Sequence, residues 1–233
     1  MNFKVRRSEE RGFADHGWLV ARHSFSFADY HDPAHMGFRS LRVINQDQVA
    51  PGMGFPPHGH RDMEIFTYVL AGVIEHRDSL GNHAQLRPGQ IQVMSAGSGV
   101  KHSEYNPSKT EGLHLIQVWL QPDRPGLRPR YAEWTPTPEQ LAAPKVLIIS
   151  HDGREGSAHI SQDADVYRVK ASAGVTVTHE LRAGRGLWFQ LIGGEVTVGD
   201  IKLRPGDALS CEEAGSIAFR SAGPVEALLF DLA

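Results

Sequence analysis

The sequence predicts an all-β protein, and three observations carry that expectation. Apolar runs are short and rich in β-branched or aromatic residues. Gly, Pro, Asp or Asn separates them, and helical periodicity is almost absent. In the first half, strands are expected at 41–44, 64–70, 72–78, 90–94 and 113–120. In the second they are expected at 145–150, 165–171, 174–181, 187–192, 194–198, 207–210, 216–219 and 227–232. Asp78-Ser-Leu-Gly-Asn82 reads as a turn between strands, and 138–143 alone reads as a helical turn. His16, His23, His31 and His35 fall in a Gly/Asp-rich stretch that reads as irregular.

The segment 121–144 carries Pro122, Pro125, Pro129, Pro136, Pro138 and Pro144. Proline cannot donate to a sheet ladder, so no central strand is expected there. The domain boundary is placed inside it, with one domain at 1–135 and a second at 136–233. The halves resemble each other. Leu-Arg-Pro-Gly occurs at Leu86–Gly89 and at Leu203–Gly206. Leu70-Ala-Gly72 matches Leu191-Ile-Gly193, and Ala96-Gly-Ser98 matches Ala214-Gly-Ser216. Such similarity suggests a duplicated β module.

Bulk composition excludes several function classes. The 233 residues carry 24 Lys and Arg against 27 Asp and Glu, so no basic footprint for direct nucleic-acid binding is present. No apolar run reaches the length of a membrane span, and the N-terminus has no signal-peptide core. The single cysteine, Cys211, cannot form an intrachain disulfide and reads as a packing residue; a cytoplasmic setting is expected.

Two short pairs concentrate the chemistry: His58-Gly-His60 and His102-Ser-Glu104. On a β-strand, i and i+2 share a face. Two such strands side by side would aim three imidazoles and a carboxylate at one point. The bland reading is a polar surface strand. It is the weaker one, because these groups lie among apolar segments and would be costly to bury unpaired. Glu64, four residues past His60, is a rival carboxylate. Three nitrogens and one oxygen suit a divalent first-row ion: iron(II), nickel, copper, manganese or zinc. Carried through the internal repeat, His58 falls on His179 and His60 on Leu181, while His102 falls on Arg220 and Glu104 on Ala222. The second module is therefore expected to lack the ligand set.

Gly52, His58-Gly-His60 and Glu64, with Gly72 beyond, resemble the first cupin motif, and Gly99-Val-Lys-His102-Ser-Glu-Tyr-Asn106 resembles the second. Cupins are double-sheet jelly rolls, so the chain is expected to be a bicupin of two tandem jelly-roll β-barrels. The wording around the motifs is narrower. Arg11-Gly12, His16-Gly-Trp18-Leu19, Ser24-Phe-Ser-Phe27, Leu41-Arg-Val-Ile-Asn45, Asp62-Met-Glu-Ile65, His76-Arg-Asp-Ser79 and Met94-Ser-Ala-Gly97 are similar to the pirin family, densely from about residue 6 to 120. Gly97 stands where the general second motif has proline.

The pirin resemblance implies His58, His60, His102 and Glu104 as ligands of iron(II), with Glu104 preferred to Glu64. It also implies a quercetin 2,3-dioxygenase-like reaction of a flavonol, or a similar enol-bearing aromatic, with dioxygen. Glu104 would then serve as general base. Phe55, Met53 and Ile116 are candidate cavity-lining residues, and His114 is a further candidate on the Ile116 strand. The alternative is a metal- or redox-dependent regulatory protein that contacts transcription factors or metabolic enzymes. A monomer is expected.

Overall fold

A computed structural model describes residues 1–233. The chain separates into two units: Gly12–Pro136 with Ala158–Gln162, and Met1–Arg11 with Thr137–Ser157 and Asp163–Ala233. Both are built from antiparallel strands, and the one α-helix, Pro138–Ala142, is a single short turn. Met1–Arg11 folds with the later residues because Lys4–Arg6 pairs with Ala208–Cys211. Arg7 Nη1 also reaches Asp207 Oδ2 at 2.8 Å.

The Gly12–Pro136 unit is two sheets. The larger has the strand order Arg130–Trp134, Ile91–Ser95, Glu64–Ala71, Leu113–Leu120, Leu41–Val49, Leu19–His23, Gly12–Asp15. The smaller has the order Gly54–His60, Val100–Tyr105, Ile74–Asp78, His83–Leu86. Side chains from both meet in one apolar cluster, with Val69, Leu113 and Leu115 from the larger sheet against Ile74 and Leu86 from the smaller. Within the proline-rich segment Arg130–Trp134 does form a strand, but at the sheet edge, where a missing N–H is tolerated.

The N-terminal stretch read as irregular holds two strands, Gly12–Asp15 and Leu19–His23. Its alternation was hard to see because the buried face is Leu19, Ala21 and His23, of which only Leu19 is strongly apolar. Register then lines up one row of inward side chains across five strands. His23 lies opposite Asn45, Asn45 opposite Gln117, Gln117 opposite Thr67 and Thr67 opposite Gln92. The row is polar and buried throughout.

The other unit repeats the plan with an apolar interior. Val169, Leu187, Leu191 and Ala227 of its larger sheet pack against Val177, Leu181 and Ile217 of its smaller one. The repeated Leu-Arg-Pro-Gly segments make the same turn. Gly89 N–H donates to Val69 O (3.0 Å) and Gly206 N–H to Leu191 O (2.9 Å); Gln90 N–H donates to Arg87 O (3.0 Å) and Asp207 N–H to Arg204 O (2.9 Å). The structural partner of Gly72 is Gly194, one residue beyond the match read from sequence. Both have positive φ (78° and 80°), and in each a Cβ would overlap a carbonyl of the neighbouring strand's lead-in. The shift arises because the link between the preceding strands is longer in the second unit, 182–185 against 61–63.

Gly97 sits in the turn that feeds Val100–Tyr105. Its φ is +45°, and a Cβ there would overlap the Leu127 carbonyl. Gly97→Ala is expected to lower stability by roughly 1–3 kcal/mol, read as a lower urea midpoint with an unchanged slope.

Candidate metal centre

His58 and His60 project from the edge strand Gly54–His60, and His102 and Glu104 from its neighbour Val100–Tyr105. Register places His102 opposite His58 and Val100 opposite His60. The ladder slips between His102 and Glu104, so Glu104 faces Phe55. Pro56 and Pro57 lie at that slip, and two consecutive residues without an N–H cannot hold a regular ladder.

The three imidazoles converge. His102 Nε2 lies 3.1 Å from His58 Nε2 and 3.0 Å from His60 Nε2, with ring centroids 4.5–4.9 Å apart. His58 Nδ1 lies 2.8 Å from the Pro56 carbonyl oxygen. A carbonyl only accepts, so Nδ1 carries the proton and Nε2 of neutral His58 is a bare lone pair. Burial, reinforced by repulsion from His102 and His58, lowers the His60 pKa to about 4, and burial with repulsion from His58 and His76 lowers the His102 pKa to about 3. Both rings are therefore neutral, as ligands must be, well below pH 7.

Glu104 reaches across to the larger sheet. Its Oε1 accepts from Thr67 Oγ1 (3.1 Å) and Gln92 Nε2 (2.5 Å), and its Oε2 from Gln117 Nε2 (2.8 Å). All three donors belong to the cross-strand polar row. Oε1 has two partners and Oε2 has one, so Oε2 keeps a lone pair for a further group. Potential ligand atoms fall into two groups within 4.8 Å that share His102: His58 and His60 with His102, and His76 and Glu104 with His102.

Glu64 is placed elsewhere. It is buried and accepts from Ser95 Oγ at 2.6 Å, with burial raising its pKa. Strand parity does not carry from His60 to Glu64, because the chain turns at Asp62 (φ 49°) and enters the other sheet. Of the candidate lining residues, Met53 is exposed and Phe55 packs on Trp18 at 5.3 Å beside the apolar core. Ile116 and His114 lie on the face opposite Gln117, and His114 Nε2 contacts Gln46 Nε2 at 3.1 Å. The wall beside the histidines is Trp119, edge-on to His60 (4.8 Å) and to Phe27 (5.4 Å).

Reading the sequence missed His76, Asp78, Thr67, Gln92 and Gln117. Signals existed: His76 and Asp78 repeat the i, i+2 spacing, and Thr67, Gln92 and Gln117 are polar residues inside apolar runs. Asp47, on the same face as Asn45, is also buried and has an Oδ1 without a partner. Burial, with the Glu104 charge, pushes its pKa up to about 7.

In the other unit Ile217, not Arg220, stands opposite His179 as His102 stands opposite His58. Two residues on, Phe219 rather than Ala222 occupies the place of Glu104 and stacks on Phe189 at 4.3 Å. His179 Nε2 is bound to Asp231 Oδ2 at 2.8 Å, and Arg185 bonds the same carboxylate. The Ala96-Gly-Ser98 match to Ala214-Gly-Ser216 gives the wrong offset because the turn before Val100–Tyr105 (96–99) is longer than the turn before Gly215–Ser221 (212–214).

Comparisons with known proteins agree with this layout. The Pirin family matches residues 3–120, and the "Quercetinase C-terminal cupin domain" matches 147–232. The chain is 45% identical over 228 residues to a quercetin 2,3-dioxygenase of Escherichia coli K12, covering 98% of this chain and 97% of that one. It is 38% identical over 227 residues to a pirin-like protein of Caulobacter vibrioides, covering 97% of each. The crystal structure of the bacterial pirin YhhW from Escherichia coli in complex with nickel(II) superposes with a TM-score of 0.94 at 44% identity, covering 99% of each chain. The chain belongs to the pirin family and is an all-β bicupin.

Two pH effects follow. His60 and His102 titrate near 6.5 when unfolded but only near 4 and 3 when folded, so the unfolded state binds more protons between these values. Metal-free protein should lose stability as pH falls below about 6.5, and replacing both rings by glutamine should flatten that slope in thermal melts. Asp47 has the opposite sign. Its contribution is full below its unfolded value of 3.8 and lost as pH rises through about 7. Asp47→Asn should therefore raise the melting temperature more at pH 8 than at pH 5.

Proposed function

We propose that this pirin-family protein is a metal-dependent dioxygenase that opens the heterocycle of a flavonol such as quercetin. His58, His60, His102 and Glu104 would hold one divalent ion. The observation that carries the reading is the convergence of three imidazole nitrogens, 3.0–3.1 Å apart in the two closest pairs. Bonds of about 2.1 Å to one ion can span nitrogens about 3 Å apart, so the three rings could hold a single divalent ion together. The donor set suits iron(II), which we take as the resident ion. Nickel, present in the YhhW complex, fits the same donors, as do copper, manganese and zinc.

A bound ion of this kind withdraws electron density from a substrate hydroxyl and makes its proton easier to remove. Glu104 Oε2 has one free lone pair, so it would accept that proton in place of its bond to the ion. Gln117, Gln92 and Thr67 fix the carboxylate so that the lone pair it offers keeps one direction. Trp119 and Phe27 supply an aromatic wall beside His60, against which a flat ring system can pack. No helix is long and apolar enough to cross a membrane. The buried thiol of Cys211 supports a reducing, cytoplasmic setting.

Iron(II)- or nickel(II)-loaded protein mixed with quercetin in air should bleach the flavonol absorbance. His102→Ala should abolish turnover, and Glu104→Gln should reduce it by roughly 10²-fold or more, the scale of a lost general base. Loaded protein that is no faster than the free ion would remove quercetin as the substrate.

A further inference from the structure

We propose that His76 is a positioning residue of the metal centre: held by Asp78, it fixes the tautomer and aim of His102. The proposal rests on the reading of His102 as a ligand. His76 lies on Ile74–Asp78, the strand that flanks Val100–Tyr105 on the side away from His58. It is fully buried. Its Nε2 lies 3.1 Å from Asp78 Oδ2, and its Nδ1 lies 3.4 Å from His102 Nδ1.

The protons along this chain follow from the end groups. A carboxylate accepts, so the proton on His76 sits at Nε2, and Nδ1 of the neutral ring is bare. That bare nitrogen accepts from His102 Nδ1–H. His102 Nε2 is then the bare atom, and it is the one that faces His58 and His60. With Nε2 of His58 bare as well, no proton lies between those two rings, and a cation is the group that fits there. The relay also feeds electron density from Asp78 toward the ligand nitrogen.

Both ends are fixed. Asp78 Oδ1 accepts from the backbone N–H of Leu80 (2.9 Å) and of Asn82 (3.0 Å), so its carboxylate cannot swing. The Tyr131 ring stacks on His76 at 4.8 Å and 24°, so the imidazole keeps its plane. Glu104 is the other carboxylate within reach, but the His102 Nδ1 contact is with His76, and the one lone pair Glu104 keeps beyond Thr67, Gln92 and Gln117 is its proposed bond to the ion. Orientation of His102 therefore falls to His76.

Nickel(II) titrated calorimetrically into metal-free protein tests this. His76→Phe keeps a ring for Tyr131 to stack on and leaves Asp78 Oδ2 its bond from Asn82 Nδ2, but removes the acceptor for His102. It should weaken nickel binding about 10- to 100-fold. The visible absorption of the nickel-loaded protein should shift, while the melting temperature without metal stays unchanged. A merely structural histidine would lower that melting temperature and leave affinity and spectrum alone. His76→Phe with wild-type affinity and spectrum, alongside His102→Ala that binds no nickel, overturns the proposal and leaves the metal reading standing. Wild-type protein that binds no nickel overturns both. Should His76→Phe fail to fold, Tyr131→Leu carries the test, since it removes the stacking wall and otherwise only an exposed bond to Glu133: weaker nickel binding supports the proposal, and unchanged binding overturns it.

Discussion

The constraint on which the Gly12–Pro136 unit depends is the buried Glu104 carboxylate. A carboxylate taken out of water carries a penalty of several kcal/mol unless hydrogen bonds replace its hydration. Glu104 obtains three, from Thr67, Gln92 and Gln117, and each donor comes from a different strand of the facing sheet. Those strands must be in register for the donors to stand in one row. A slip of one residue in any of them would turn its polar group to the other face and leave the charge short of a partner. One acidic side chain thus sets the alignment of three strands that do not carry it.

The second unit shows what the same frame becomes without that constraint. Phe219 occupies the place of Glu104, and Phe189 stacks on it from the facing sheet. Ile217 and Leu181 fill the places of His102 and His60. The interior closes as an ordinary apolar core, and the turns and strand order are retained. The remaining histidine, His179, gains Asp231 as partner, with Arg185 neutralising the carboxylate. A jelly roll folds with either filling, so the fold and the site are specified by separate residues.

What was legible in the sequence follows from how local each signal is. The i, i+2 pairs His58/His60 and His102/Glu104 were readable because one strand fixes their geometry. Strands with strong apolar runs, such as Leu113–Leu120, were readable for the same reason. Leu19–His23 was not, since its inward face carries alanine and histidine and its partner strand is remote in sequence. The polar row was visible as Thr67, Gln92 and Gln117 inside apolar runs, but only register brings the three together. His76 lay within a family block without a role, because its role is defined by a neighbour across the ladder. Glu64 was ambiguous by spacing alone, since no parity rule sees the turn at Asp62.

The arrangement of the smaller sheet divides labour within the centre. Gly54–His60 is its edge strand, and only an edge accepts Pro56 and Pro57 within a ladder. The prolines break the register beside Glu104 and leave a carbonyl, that of Pro56, free to accept a hydrogen bond from His58 Nδ1–H. Val100–Tyr105 is an interior strand, paired on both sides, and its His102 and Glu104 are buried, whereas His58 and His60 are only half-buried. Two of the four proposed ligands are therefore held by the interior of the sandwich and two by its rim. The half-buried pair marks the side on which solvent meets the centre, and it is also the side where Trp119 and Phe27 offer an aromatic surface. A site built this way keeps its carboxylate chemistry dry and fixed while presenting its imidazoles to whatever arrives from outside.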